Sequence, residues 1–288
     1  MSQQNKFQEM PATFQSLVDP IIIAISVYDP TGYYVRHAGA MLASVFANTR
    51  SPVCVYVLTD ETMTLENRKK LITIAERFNK EIKFIEANLP DEWQTIKFGK
   101  LYTKGILYRL LLPDVLQEKR VIYLDCDIIV DMDIRELWNT PLHEYSLAAA
   151  KDQGISKVNQ QLQRRGQSLG INEDIYFNSG VLVMDLDHLR KQYRLADKFS
   201  DFVRLNPDSL LLDQDFLNWL FQDSYEKLNP SFNIMLGYAE HKQFLRGQQI
   251  LHFTPMKPWK VHIGGIGEEY WKYVKLTPWE SDAIQYTP

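Results

Sequence analysis

The chain has 288 residues, 45% apolar and 24% charged, the profile of a globular protein long enough to bury a sizeable core. A formal net charge of −4 argues against non-specific nucleic-acid binding, which needs a basic surface. It leaves an anionic ligand open, because a metal ion neutralises phosphate locally.

Residues 1–20 are Gln-rich, show no periodicity or signal-peptide pattern, and read as an N-terminal arm. Short β-branched runs at Ile21–Val27, Val53–Leu58 and Ile82–Ile85 suit buried parallel strands. The first is far too short to span a bilayer. Between the runs, Val35, Ala38, Leu42, Val45 and Phe46, and then Leu65, Ile72, Ala75 and Phe78, share helical faces. Thr62 and Thr64 supply capping oxygens before the second helix. Such alternation predicts βαβ crossovers and a mostly parallel sheet. A third helix is expected over Thr103–Leu112, stopped by Pro113, and a fourth strand over Arg120–Leu124. Ser146–Ala150 and Gly180–Leu186 read as strands, separated by a polar stretch, Gln153–Asn172, that is a loop or an exposed helix. Helices are expected at about Leu189–Leu205 and Asp213–Phe221, and a last short strand at Ile250–Phe253. Gly264-Gly265-Ile266-Gly267 reads as a plain loop, not a dinucleotide fingerprint. No repeat or long linker splits the chain. The expectation is one α/β domain over 21–262 with a C-terminal annex over 263–288.

Cys54 and Cys126 cannot build a disulfide framework. Both lie in apolar runs that read as strands, as buried thiols of a reducing, cytoplasmic compartment would.

The strongest chemical signal is Tyr123-Leu124-Asp125-Cys126-Asp127 followed by Ile128-Ile129-Val130. A buried strand cannot hold unpaired carboxylates cheaply, so the strand should end there and present both acids at its carboxyl edge, where open α/β sheets bind ligands. Two acids one residue apart can share a hard cation, Mn²⁺ or Mg²⁺, that bridges to phosphate. The D-x-D pattern alone is weak, since the sequence holds it four times. Asp131 and Asp133 read as a solvated turn, with Asp133 able to cap a helix from Ile134. Asp185 and Asp187 read as helix caps. Asp213 and Asp215 could open a helix as N-terminal acids. A second signal is His252-Phe253-Thr254-Pro255-Met256-Lys257-Pro258-Trp259. Here a His follows a strand, and a Lys lies in a proline-stiffened turn suited to phosphate.

Taken in order, Ile-Ala-Ile-Ser-Val from Ile23, Tyr108-Arg109-Leu110, Tyr123-Leu124-Asp125-Cys126-Asp127, Tyr176-Phe177-Asn178-Ser179-Gly180-Val181, Asp213-Gln214-Asp215 and His252…Lys257-Pro258-Trp259 resemble glycosyltransferase family 8. These are retaining sugar transferases that include bacterial lipopolysaccharide galactosyl- and glucosyltransferases. The resemblance covers about residues 21–260. It implies a GT-A fold: a Rossmann-like, mixed but mostly parallel sheet with flanking helices. It also implies transfer of galactose or glucose from a UDP-sugar to a glycan acceptor, lipopolysaccharide-type or protein-linked. Asp125, Asp127 and His252 would hold Mn²⁺, or Mg²⁺, on the diphosphate, and Lys257 would contact that diphosphate. Ser26, Val27, Tyr28 and Asp29 would lie under the uridine, with Cys126 beside the donor. Arg109 and Asp152 would hold the sugar or position its neighbours, Asn178 and Ser179 would line it, and Asp213 and Gln214 would grip it and flank the anomeric carbon.

The chain departs from the family pattern in two places. Ser26–Tyr34 carries an apparent two- or three-residue insertion where relatives place Ala-Asp-Asp-Asn-Tyr, and the His252-to-Lys257 spacing is five rather than six. Two other readings remain: an inactive sugar-binding module on the same fold, and a UDP-sugar nucleotidyltransferase, whose usual Gly-rich basic phosphate loop is missing. The chain is also rich in aromatics, with 15 Tyr and 6 Trp, several of them between Glu268 and Pro288 in a stretch that otherwise looks irregular. With Lys272 and Lys275, Tyr270, Trp271, Tyr273 and Trp279 form either a peripheral membrane or acceptor contact or a helix packed on the core.

Overall fold

The computed structural model describes residues 19–98, 103–154, 169–209, 211–238, 247–261 and 264–281. The first half follows the expected alternation: β1 Ile21–Val27, α1 Val35–Asn48, β2 Val53–Thr59, α2 Leu65–Arg77 and β3 Glu81–Glu86. The Thr64 hydroxyl accepts the Asn67 N–H and caps α2. A 3-10 helix, Lys104–Leu111, then runs into α3, Leu112–Val115. Pro113 therefore does not stop the helix. It sits in the first turn of α3, where its missing N–H has no partner to lose.

Next come β4 Arg120–Leu124, β5 Ile128–Asp131, α4 Arg135–Trp138, β6 Leu147–Lys151 and β7 Phe177–Asp185. Asp131 is not in a solvated turn. It is buried at the end of β5 and accepts the Gly247 N–H at 2.9 Å. Asp133 accepts the Arg135 N–H at the start of α4, and Asp185 caps α5, Leu186–Gln192. The helix expected over 189–205 is split. Arg194 adopts φ 47°, and α6 restarts at Leu195–Leu205. The remaining elements are α7 Asp213–Phe221, β8 Glu226–Lys227, β9 Ile234–Met235, β10 Gln249–His252 and α8 Gly264–Val274.

The main sheet has seven strands in the order β3-β2-β1-β4-β7-β6-β8. β3, β2, β1 and β4 run parallel, whereas β7 lies antiparallel to both β4 and β6. Alternation along β1 splits the core. Ile21, Ile23, Ile25 and Val27 face α1, α2, α8 and a second sheet, β5-β10-β9. Ile22 and Ala24 face the 3-10 helix, α3 and α5 to α7. Helix α1 is buried almost all round rather than on one face, because α8 covers its outer side.

That covering corrects one expectation and, of the two readings of the aromatic end, agrees with the helix packed on the core. Gly264–Gly267 is the first turn of α8, not a loop, and the segment after it is helical through Val274. Tyr270, Tyr273 and Trp279 are buried in the core, so these rings are not offered to a membrane or an acceptor. The Trp279 ring passes where a Cβ on Gly39 would stand, 2.6 Å away. Among the described residues no helix is long and apolar enough to cross a membrane.

Candidate active site

The chain leaves the main sheet at Leu124 and enters the second sheet at Ile128. Asp125, Cys126 and Asp127 fill that junction, at the carboxyl edge of β4, as the broken apolar run predicts. Strand β10 pairs antiparallel with β5 so that His252 lies opposite Ile128, and the Phe253 N–H donates to the Asp127 carbonyl at 2.9 Å. That register delivers His252 to the two acids from 125 residues away in sequence. Among the described residues Asp125, Asp127 and His252 form a group able to hold a metal ion, with one ligand atom from each lying within 4.8 Å of the others.

Gly180 forms the floor beneath them. Its carbonyl accepts the Asp125 N–H, and a Cβ here would stand 2.5 Å from His252 Cε1 and 2.7 Å from Asp125 Oδ2. Lys257, in the turn after β10, contacts the Asp127 carboxylate with its ammonium. Burial alone would raise the Asp127 carboxyl; Lys257 and His252 outweigh it and hold it far below the usual carboxylate range.

Arg109, on the 3-10 helix, is 3% exposed and therefore cannot reach far into solvent. It donates to Asp125 Oδ1 at 2.8 Å and to the Ser179 carbonyl, and pairs with Asp213 Oδ2 at 3.1 Å. Burial would weaken its hold on its proton, but Asp125, Tyr123 and Asp213 more than reverse that. One buried guanidinium thus joins an acid of the metal group to an acid of the opposite wall. Burial pushes the Asp213 carboxyl up to about 6, against the pull of Arg109.

The opposite wall is a polar cradle. Leu212 enters α7 with φ 36°, a region that non-glycine residues rarely occupy. Asp213 and Gln214 follow it. The Gln214 Oε1 accepts the Ser179 N–H at 3.0 Å and the Asn178 Nδ2 at 3.0 Å. Its Nε2 donates to Asp152 Oδ2 at 3.0 Å and to the Tyr176 hydroxyl. Asp152 lies one residue past β6, and its N–H donates to the Tyr176 carbonyl. Asp152, Asn178, Ser179, Asp213 and Gln214, all singled out in the sequence, therefore converge.

At the edge formed by β1, Ser26 and Tyr28 are partly exposed and Val27 is buried. Asp29 is buried, and its carboxylate accepts the N–H groups of Tyr33, Tyr34 and Val35. It caps the start of α1, so its lone pairs face inward. Tyr28 lies on the 3-10 helix, 2.8 Å from the position of a Gly105 Cβ, and beneath the Lys104 ammonium at 4.9 Å. Cys126 is buried in the junction turn rather than in a strand, with its thiol near the Ser26 carbonyl at 3.4 Å. Most of the polar stretch 153–172 lies outside the described residues.

Two contributors were assigned no role from the sequence. Tyr176 has a buried hydroxyl that donates to Asp215 at 2.7 Å and accepts from Gln214. Asn233, fully buried, bonds to His252 and Asn178. A polar residue directly before the Ile234-Met235 run was the available signal, but its partners depend on β9 pairing with β10.

Known proteins resemble this chain in sequence and fold. The family model for glycosyl transferase family 8 matches residues 26–262. The chain belongs to that family. General stress protein A of Bacillus subtilis is 29% identical over 286 residues, covering 91% of this chain and 96% of that protein. Glycosyltransferase GlyB of Streptococcus pneumoniae is 27% identical over 222 residues, covering 70% of this chain but only 51% of its own length. Among solved structures, the galactosyltransferase LgtC in complex with donor and acceptor sugar analogs superposes with a TM-score of 0.77 at 22% identity, covering 91% of this chain and 100% of that one. The bifunctional glycosyltransferase WbbM gives 0.76 at 20% identity, with 94% of this chain and 52% of that one covered. The family 8 chain is thus a glycosyltransferase of GT-A fold, which implies a nucleotide-sugar donor and a glycan acceptor.

Proposed function

We propose that this family 8 chain is a retaining hexosyltransferase that moves glucose or galactose from a UDP-sugar to a hydroxyl of a glycan acceptor. The observation that carries the reading is the Asp125, Asp127 and His252 group at the strand edge, joined through Arg109 to a polar cradle. Two carboxylates and one imidazole suit Mn²⁺, with Mg²⁺ the harder alternative. The absence of a Cβ at Gly180 leaves the ligand atoms their space. A cation held there would neutralise the diphosphate and favour its departure as a leaving group.

The chain's own residues supply the rest. Lys257 neutralises the departing diphosphate once it leaves Asp127. Arg109 holds Asp125 and Asp213 in fixed relation across the site. Asp152, Asn178, Ser179, Asp213 and Gln214 bind the sugar hydroxyls and lie beneath the anomeric centre, where positive charge grows. Gln214 is a poor nucleophile, and both of its amide ends are engaged by protein. That favours attack from the face of the leaving group, with a diphosphate oxygen taking the acceptor's proton. Tyr28 and Ser26 would meet the base, because the Asp29 carboxylate is spent on α1. The free, buried Cys54 and Cys126 fit a reducing cytoplasm.

A panel of UDP-sugars with Mn²⁺ and no acceptor tests the reading. Slow hydrolysis of UDP-glucose or UDP-galactose is expected, and no turnover or binding of any UDP-sugar would sink it. Asp127→Ala should abolish turnover and its Mn²⁺ dependence, whereas an inactive sugar binder would be indifferent to the change.

A further inference from the structure

We infer that Asn233 is a positioning residue: it fixes the tautomer and orientation of His252 and ties the metal group to the sugar cradle through Asn178. The inference rests on the metal reading above for its consequence, but not for its geometry. Amide oxygens and nitrogens look alike, so their assignment needs an anchor that can only donate. The backbone supplies two. The Gly180 N–H donates to Asn178 Oδ1 at 2.9 Å, and the Ser179 N–H donates to Gln214 Oε1 at 3.0 Å.

With Asn178 Oδ1 so oriented, the group of Asn233 that faces it at 2.9 Å has to be the Nδ2 donor. The other end of Asn233 is then Oδ1, an acceptor, 2.9 Å from His252 Nδ1. In its neutral form, the form a metal ligand takes, His252 therefore carries its proton on Nδ1. Its Nε2 lone pair points toward the carboxylates, 3.4 Å from Asp127 Oδ1 and 4.0 Å from Asp125 Oδ2. This is the tautomer a metal ligand needs. A rotated Asn233 would face Asn178 oxygen to oxygen, and a rotated Asn178 would turn its oxygen toward Asp152 and Gln214. Flipping either is thus costly, because both amides are buried. The same Asn178 donates from Nδ2 to Asp152 Oδ2 at 3.2 Å and to Gln214 Oε1. One chain of amides runs from the sugar cradle to the metal group.

Two variants and two readouts decide the matter. Asn233→Ala removes both bonds. Asn233→Asp keeps an acceptor for His252 but loses the donor to Asn178. The first readout is imidazole ¹⁵N NMR of the metal-free full chain in alkaline buffer. Wild type and Asn233→Asp should show His252 protonated at Nδ1, and Asn233→Ala should lose that signature. The second is Mn²⁺ binding without donor. Asn233→Ala should weaken it by roughly 10- to 100-fold, and Asn233→Asp, which keeps the acceptor for His252 while setting an oxygen against Asn178 Oδ1, should lose clearly less than Asn233→Ala. Protonation of wild-type His252 at Nε2, or Asn233→Ala leaving both readouts unchanged, would overturn the inference. So would equal losses in the two variants. If the NMR pattern holds but the wild type binds no Mn²⁺, the positioning role stands and the metal reading falls.

Discussion

Gly180→Ala tests the metal group at the point where the structure leaves it least room. The added methyl would lie 2.5 Å from His252 Cε1, 2.7 Å from Asp125 Oδ2 and 3.0 Å from Asn178 Oδ1. Ordinary contact begins near 3.4 Å, so the imidazole has to retreat by about 1 Å. It cannot do so freely, because Asn233 holds its far nitrogen. Metal ligands tolerate errors of only ~0.2 Å, and a misplacement of ~1 Å in a catalytic constellation costs on the order of 10²-fold. Mn²⁺ affinity and kcat/KM for the UDP-sugar should therefore each fall about 100-fold. The fold should survive, because β7 continues its pairing with β4 from Val181 onward. Gly265→Ala is the matched control, since a Cβ there meets nothing within 4 Å. Calorimetric Mn²⁺ titration, donor turnover and a thermal melt should be run on both. A Gly180→Ala protein that melts like wild type and binds Mn²⁺ within about threefold of it would refute the placement of His252 as a ligand.

Three further outcomes follow from the same contacts. Lys257→Met should lower donor kcat/KM by about 10²-fold yet tighten Mn²⁺ binding in the absence of donor, because the ammonium no longer competes for Asp127; weaker binding of the bare ion would contradict that contact. Asp213 titrates at about 6 rather than 3.8, so the folded chain keeps a proton that the unfolded chain gives up. Wild type should therefore lose stability relative to Asp213→Asn as pH rises from about 4 to about 6, by roughly 3 kcal/mol, and a difference that does not change with pH in chemical denaturation would show the carboxyl to be ordinary. His37 is lowered from 6.5 to about 3 by burial and by Arg36. A neutral folded imidazole makes the protein lose stability as pH falls below 6.5, and His37→Phe should remove most of that acid sensitivity in melts; unaltered sensitivity would place its origin elsewhere.

What could be read from the chain follows from where the information lies. The end of β4 was legible because two adjacent physical signals disagree there: an apolar run says buried and two acids say solvated. The β1 to β3 alternation was legible for the same local reason. Asp131 was misread because its partner is the N–H of Gly247, more than a hundred residues on, and an acid with a distant partner looks solvated in sequence. Pro113 was misread as a stop because proline breaks helix interiors but is welcome in a first turn. Asn233 carried almost no local signature, since its meaning comes from the pairing of β9 with β10. The split at Arg194 rests on a single left-handed residue with no glycine to announce it.

The aromatic seam at the end of the chain has a practical consequence for anyone handling the protein. His37 stacks on Trp259 at 3.6 Å and bonds to the Tyr270 hydroxyl, so α1, the turn bearing Lys257 and α8 meet at one imidazole. The region matched by the family model stops at residue 262, short of that helix. A recombinant fragment trimmed to that boundary would strip the cover from α1, leave His37 without its phenol and loosen the turn that carries Lys257. Fusion partners and affinity tags are therefore better joined beyond Trp279 than at the edge of the recognisable family segment.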